Sequence, residues 1–552
     1  MTVAAAQRAA RGTLLAIGFR AVSFLATQWT LRRMNPVTLG QTAVQLEVGL
    51  ALAICTAREG FRLVLTTTSN NTSPPPRGVA WCTIPAGCLV ALLYALYHAY
   101  GPRQCPPPPV FSFLATTSTK GAIITDFCQA GWYYSLAIVL ELLAEPVVIY
   151  QLQRLHVAPK AAAESMAGLA KTIAVVVALQ VLPSIGPVTA FGMAQCVYGA
   201  SYSILLYASA AADADYCCWP AWNKRTSSTE DPGDATTSTT TTTANNTLWH
   251  TPTMQAVSIQ TATGLVKFAI TEGDRILLST LADSYDQGVY AMASGYGGLV
   301  ARLILQPTEE TCRLLLSRSP TTTTAYRVYT VAVKAVVYLG LVCACLAVHY
   351  TALLLQLTAW DQHPGAHAVL TAYCVYTAVL AANGVTEAYV YSQSAAGSTT
   401  SNSGTALRLT VSHALSVSVL VALAVPAVQT YGTAGLVLAN GVAMGGRVIG
   451  NVQYAMVRFN STRRRRLLVD VCPRPVVLLA FGMAFGITRW SEDVWKAQRQ
   501  GQLVVAALQH VGIGAVCGLS ILAVAFSVET EWKRQAYLLW KDEDGSGKEK
   551  GD

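Results

Sequence analysis

The run LVVAALQHVGIGAVCGLSILAVAFS, Leu503 to Ser527, contains no Asp, Glu, Lys or Arg. It is apolar on every helical face. A helix on the surface of a soluble domain keeps one polar side, whereas one apolar all round is buried in a core or in a membrane. Its length exceeds the roughly 20 residues needed to cross the ~30 Å hydrocarbon core of a bilayer. The run therefore reads as a transmembrane helix, and similar windows recur along the whole chain. They predict spans near 12–33, 38–65, 79–100, 126–150, 160–182, 187–211, 257–280, 286–316, 326–355, 367–394, 405–425, 431–457, 473–489 and 503–527. The expected fold class is an all-α polytopic membrane protein of about fourteen helices.

Composition agrees with this reading. The chain has 552 residues, 53% apolar and only 12% charged, with a mean hydropathy of +0.40. Soluble domains carry about 25% charged residues. The surplus apolar surface must face lipid. Met1 to Arg11 lead into an apolar run with no small-residue cleavage site, so the first span is expected to remain as an anchor. The 14 cysteines include no Cys-x-x-Cys pair. They read as small packing residues, with neither a disulfide framework nor a zinc site.

The linkers are rich in Pro, Thr and Ser. The longest, 213–255, centres on Thr236 to Thr243 and reads as a disordered connector. It divides an N-lobe (1–212, spans one to six) from a C-lobe (256–458, spans seven to twelve). Two further spans (459–530) and a hydrophilic tail (531–552) follow. Basic residues near the span ends set the orientation. With the N-terminus cytosolic, Arg58, Arg62, Arg77, Arg154, Lys160, Arg313, Arg318 and the run Arg463 to Arg466 all fall on the cytosolic side. Both termini are then cytosolic. Sequons at Asn70, Asn71, Asn245 and Asn460 lie in predicted cytosolic loops and should be silent. Lys548 and Lys550 stand at the dilysine spacing that retrieves membrane proteins to the endoplasmic reticulum (ER).

The halves echo each other. Ala57-Arg-Glu-Gly-Phe-Arg62 closes the second span and Thr308-Glu-Glu-Thr-Cys-Arg313 the eighth. Glu145 in the fourth matches Glu387 in the tenth. This predicts two six-helix lobes related by a pseudo-two-fold axis along the membrane normal, with a site between them.

Charges inside spans cost several kcal/mol unless they face protein or a water-filled cavity, so each is a functional candidate. Arg20 lies in the first span, Glu47 in the second, Glu141 and Glu145 in the fourth, Glu164 and Lys171 in the fifth. Lys267 and Thr271-Glu272-Gly-Asp274-Arg275 lie in the seventh, Arg302, Glu309 and Glu310 in the eighth. Glu387 and Arg447 lie in the tenth and twelfth. Some of these could simply brace helices as ion pairs, Arg58 with Glu59 near a membrane face and Glu272 with Arg275 one turn apart. Arginine suits bidentate phosphate recognition. Several around one cavity predict an anionic head group such as pyrophosphate. Pro307, flanked by Gln306 and Thr308, is the best hinge candidate. No enzyme motif stands in a credible context: Gly545-Ser-Gly-Lys548 has no strand before it, and Asp213-Ala-Asp215 has no nucleotide-binding domain around it. The expectation is a non-enzyme without a cofactor or a metal.

Thr271-Glu-Gly-Asp-Arg275, Asp286-Gln-Gly-Val-Tyr290, Leu299-Val-Ala-Arg-Leu-Ile304, Gln306-Pro307 and Glu309-Glu310, in this order, resemble the Rft proteins of the ER. These lie within the multidrug/oligosaccharidyl-lipid/polysaccharide exporter superfamily. The resemblance spans nearly the whole membrane region. It implies a two-lobe exporter fold and a role in moving Man5GlcNAc2-pyrophosphate-dolichol from the cytosolic to the lumenal leaflet for N-glycosylation. The implied partners are that lipid, the ER membrane and the N-glycosylation machinery, with no nucleic acid. It also implies the charged set Arg32, Arg58, Arg62, Lys160, Glu272, Arg302, Glu309 and Arg447. Asp274 stands where glutamate is also familiar. Two alternatives stay open: an accessory protein that presents the lipid without flipping it, and a cation-coupled small-molecule antiporter.

Overall fold

A computed structural model describes residues 34–66, 77–100, 119–153, 157–182, 185–211, 251–317, 321–395, 399–459, 461–498 and 503–546, with 30 and 32. The first predicted span and Arg20, most of the connector and the dilysine tail fall outside these residues.

All regular structure among the described residues is helical. The first unit, Met1–Ile276, contains α1 (Pro36–Thr66), α2 (Gly78–Tyr100), α3 (Asp126–Gln153), α4 (Val157–Val181), α5 (Pro187–Ala211) and α6 (Thr251–Thr271). Its core is a stripe on α1, Leu46, Leu50, Ala53, Ile54 and Ala57, meeting Ala91 of α2 and Tyr134, Ile138 and Leu142 of α3. The spacing of the stripe is that of one helix face. Glycines bring backbones together. A Cβ on Gly60 would collide with Thr261 and Val257 of α6, and one on Gly264 of α6 would touch Glu59. Helix α6, the seventh predicted span, thus packs on α1. Asp126 caps the start of α5, accepting from the backbone N–H groups of Val188 and Thr189 at 3.0 and 2.8 Å. Anionic oxygen at a helix N-terminus satisfies free donors and opposes the helix dipole.

The second unit, Leu277–Asp552, contains α7 (Ser284–Arg313), α8 (Thr322–Cys345), α9 (Thr351–Leu357), α10 (Ala366–Ala395), α11 (Thr399–Arg458), α12 (Ser461–Val471), α13 (Pro475–Gln498), α14 (Leu503–Val528) and α15 (Thr530–Ser546). Its core gathers Tyr326, Tyr329 and Val333 of α8 with Val385 and Tyr389 of α10 and Phe459. Helices α13 and α14 pack side by side and leave between them a mainly apolar groove of about 700 Å3.

Ten helices among the described residues are long and apolar enough to cross a membrane, where sequence patterning predicts about fourteen. One of the ten, Val411–Arg458, is 48 residues long. At 1.5 Å per residue that is far more than ~30 Å of hydrocarbon requires. It breaks at Gly432, whose φ is +60° and ψ −148°, a conformation open to glycine. Ser416 Oγ then donates to the Ala443 carbonyl at 3.0 Å, and Gly435 packs on Ala427. These contacts across the break make α11 a hairpin of two antiparallel limbs, as the separate spans 405–425 and 431–457 require. The predicted spans at 187–211 and 257–280 are helical as α5 and α6 but fall outside the ten.

The surface is inverted relative to a soluble protein. Leu89, Leu92, Leu93 and Leu96 of α2 and Leu508, Leu519, Leu522 and Phe526 of α14 are exposed. In water each would forfeit about 1.5–3 kcal/mol of burial energy. One cysteine departs from the packing role expected for all: Cys128, near the start of α3, is disulfide-bonded. A bond of that kind depends on the positions of two sulfurs in the fold, which spacing in the sequence does not disclose.

Candidate functional site

Spans two and four meet through charge. Arg58 and Arg62 are one helical turn apart on α1. Glu141 and Glu145 are equally spaced on α3, to either side of an interruption at Leu143–Ala144, just before Pro146. Arg62 donates from Nε and Nη2 to the two oxygens of Glu145 at 2.7 and 2.6 Å. Arg58 Nη1 donates to Glu141 Oε1 at 3.1 Å and lies 3.8 Å from Glu145. Glu145 is wholly buried. A buried carboxylate persists only when its partners replace the water it has lost, and two guanidinium groups do so here.

Beside this cluster the first unit encloses an open cavity of about 630 Å3. Helix α1 contributes Glu47, Arg58 and Glu59, α3 contributes Glu141, and Lys171 comes from α4. Gln195 and Tyr198 of α5 and Phe268 of α6 complete its middle, with Glu272 and Arg275 at one edge. A π-helical turn, Gln41–Leu46, precedes Glu47. Such widened turns shift the register of the side chains that follow. Each cation on the wall has an acid: Lys171 donates to Glu47 at 3.0 Å, Arg275 lies 3.1 Å from Glu272, and Arg58 binds Glu141. Among the described residues three cations therefore face four carboxylates, without the excess of arginine over acid expected of the cavity.

The second unit carries its own chain of buried polar groups. Asn383 Nδ2 donates to Glu387 Oε2 at 2.8 Å. His413 Nε2 lies 3.1 Å from Glu387 Oε1, and its Nδ1 lies 3.1 Å from Arg447 Nη1. A guanidinium can only donate, so Nδ1 is the acceptor and Nε2 faces the Glu387 carboxylate. Glu309 of α7 packs over Gly384, one residue from Asn383. The tenth-span acid therefore finds its cation on the α11 hairpin. Arg313, the sequence counterpart of Arg62, is exposed.

The other predicted residues are dispersed. Arg32 is exposed just before α1. Lys160 pairs with Glu164, one turn on in its own helix, at 2.8 Å. Asp274 accepts from the Arg275 backbone N–H. Arg302 lies on α7, and its side chain falls outside the description. One residue, Gln306, separates Pro307 from the end of a π-helical turn, Ala301–Leu305. There Thr308 and Thr311 donate to the Ile304 and Pro307 carbonyls at 2.7 Å. Each hydroxyl donates to the carbonyl four residues earlier, as Ser and Thr do inside helices. Patterning did not single out His413, Gln195, Tyr198 or Phe268. Only the lone His413 in an apolar span carried any signal, as a polar group at membrane depth.

Two polar clusters brace the second unit near its last helices. Glu529, at the junction of α14 and α15, accepts from Lys334 Nζ, the Tyr338 hydroxyl and the Arg474 backbone N–H at 2.8, 2.8 and 2.9 Å. Burial raises the Glu529 carboxyl, but these donors outweigh it and hold the group below its ordinary value. Glu492 of α13 binds His349 at 2.9 Å and Lys496 at 2.6 Å.

The family model described as Rft protein matches residues 9–538. The Man(5)GlcNAc(2)-PP-dolichol translocation protein RFT1 of Mus musculus is 26% identical over 96% of this chain and 95% of its own. Its namesake from Xenopus tropicalis is 25% identical over 94% of each. Among solved structures, lipid II flippase MurJ in an inward closed conformation superposes with a TM-score of 0.54. It covers 93% of this chain and 99% of that one at 12% identity, a likeness of fold.

Proposed function

The chain belongs to the Rft protein family, and from that premise we propose that it moves, or supports the movement of, Man5GlcNAc2-pyrophosphate-dolichol from the cytosolic to the lumenal leaflet of the ER membrane. The observation that carries this reading is a charged, hydrogen-bonding cavity set inside a bundle whose outer face is apolar. Polar cargo needs such an interior to leave water, while its lipid tail needs an apolar surface. The reading involves binding and displacement, with no bond of the cargo made or broken.

The Cys128 disulfide supports the proposed orientation with both termini cytosolic. Positive-inside counting puts the start of α3 on the lumenal side, and disulfides persist in the oxidising ER lumen. The two repeats, 1–212 and 256–458, and a hinge at Pro307 complete the proposal. Its test is reconstitution of the purified protein in liposomes with labelled dolichol-pyrophosphate oligosaccharide. Transfer between leaflets should rise with the amount of protein. Transfer no faster than in empty liposomes would overturn direct translocation.

A further inference from the structure

The cavity of the first unit poses a chemical question that an anionic head group does not answer. Its wall asks for hydrogen-bond donors. Glu47, Glu59, Glu141 and Glu272 face it, and a carboxylate only accepts. Gln195, 4% exposed, lines it with a carbonyl oxygen that has no partner among the described residues. Ionised phosphate also only accepts, so it satisfies none of these groups. At Arg58, Lys171 or Arg275 it would also lie against the carboxylate that each already binds. The wall asks for acceptors as well, because Arg58 Nε is buried and has no partner among the described residues.

A neutral sugar meets both demands. Each hydroxyl donates one hydrogen and offers two lone pairs, and an acetamido group carries an N–H beside a carbonyl. Hydroxyls can donate to the carboxylates of the wall and accept from its cations. Tyr198 of α5 and Phe268 of α6 line the same space. Aromatic rings suit the apolar C–H face of a pyranose. The volume, about 630 Å3, lies within the ~300–1,000 Å3 range of small-molecule sites.

We infer that this cavity is a glycan subsite, which receives neutral hexose or N-acetylhexosamine units, and that the pyrophosphate of the cargo is held elsewhere. The inference rests on the reading that the cargo is a glycan-bearing lipid. Paired charges are an advantage here, since a carboxylate already fixed by a guanidinium is positioned to take a hydroxyl hydrogen.

The test uses full-length protein in nanodiscs with phosphate-free chitobiose as the probe and inorganic pyrophosphate as the competitor. Chitobiose should bind, and excess pyrophosphate should not displace it. Gln195→Leu should weaken binding about tenfold, the loss of one buried hydrogen bond. Displacement by pyrophosphate, or unchanged affinity in Gln195→Leu, would overturn the subsite. Folding of the variant is bypassed by photolabelling the wild-type protein with diazirine-bearing chitobiose. Label on α1, α5 and α6 at the cavity supports the subsite, and label confined elsewhere overturns it. If wild-type protein translocates the whole lipid but does not bind chitobiose, the subsite alone fails. If chitobiose labels the cavity but no lipid crosses, the translocation reading fails and the subsite stands.

Discussion

Arg62 grips both carboxylate oxygens of Glu145, at 2.6 and 2.7 Å, across 83 residues of sequence and at a point where Glu145 has no exposed surface. Removing either member alone strands a buried charge. Arg62→Leu or Glu145→Leu should each cost about 3–5 kcal/mol, and the double variant less than the sum of the two. Thermal unfolding in detergent of the four proteins checks this. Additive losses would show that the pair is not a unit.

Asp126 tests a cap supplied from another helix. It accepts from Val188 N, Thr189 N and the Thr189 hydroxyl. Asp126→Ala should lower stability by about 1–2 kcal/mol. A Cβ on Gly186 would collide with the same carboxylate, so Gly186→Val should give a similar loss in an unfolding assay.

Glu529 makes stability depend on acid. Its folded value lies below its unfolded one, which is about 4.3, because the donors from Lys334, Arg474 and Tyr338 outweigh burial. Its contribution is therefore complete above the unfolded value and is lost as pH falls through the folded value. Melting temperatures across an acid series should fall less steeply for Glu529→Gln than for wild type. Parallel curves would remove Glu529 from that role.

His413 links the acid and the cation of the second unit. His413→Phe keeps a ring but leaves Glu387 and Arg447 unconnected. It should cost about 1–3 kcal/mol of stability and reduce rescue of N-glycosylation in cells depleted of the native protein. Full rescue would make the link dispensable for function.

How legible this was in the sequence depends on range. Hydropathy is local, so the helical class and most spans were readable from windows such as 503–527. Glu145 and Arg62 were readable as charges that lipid would not accept. That each answers the other was not, since the contact joins separate spans. Counting arginines suggested surplus positive charge around one cavity. Folding instead sets a carboxylate against each described cation on the wall of the first-unit cavity, and no count foresees such pairing. Gln195 escaped notice because an uncharged amide raises no alarm in an apolar window until its unpartnered oxygen is seen.

The glycine at 432 also decides parity. Because α11 doubles back there, one continuous apolar helix becomes two antiparallel limbs, the two crossings that the windows 405–425 and 431–457 predict. A single crossing would present Arg463 to Arg466, and every later segment, to the opposite compartment. A β-branched residue at 432 would thus do more than strain one turn. It would challenge the insertion machinery's count, and the lesion would be read as a protein whose last helices are threaded the wrong way round.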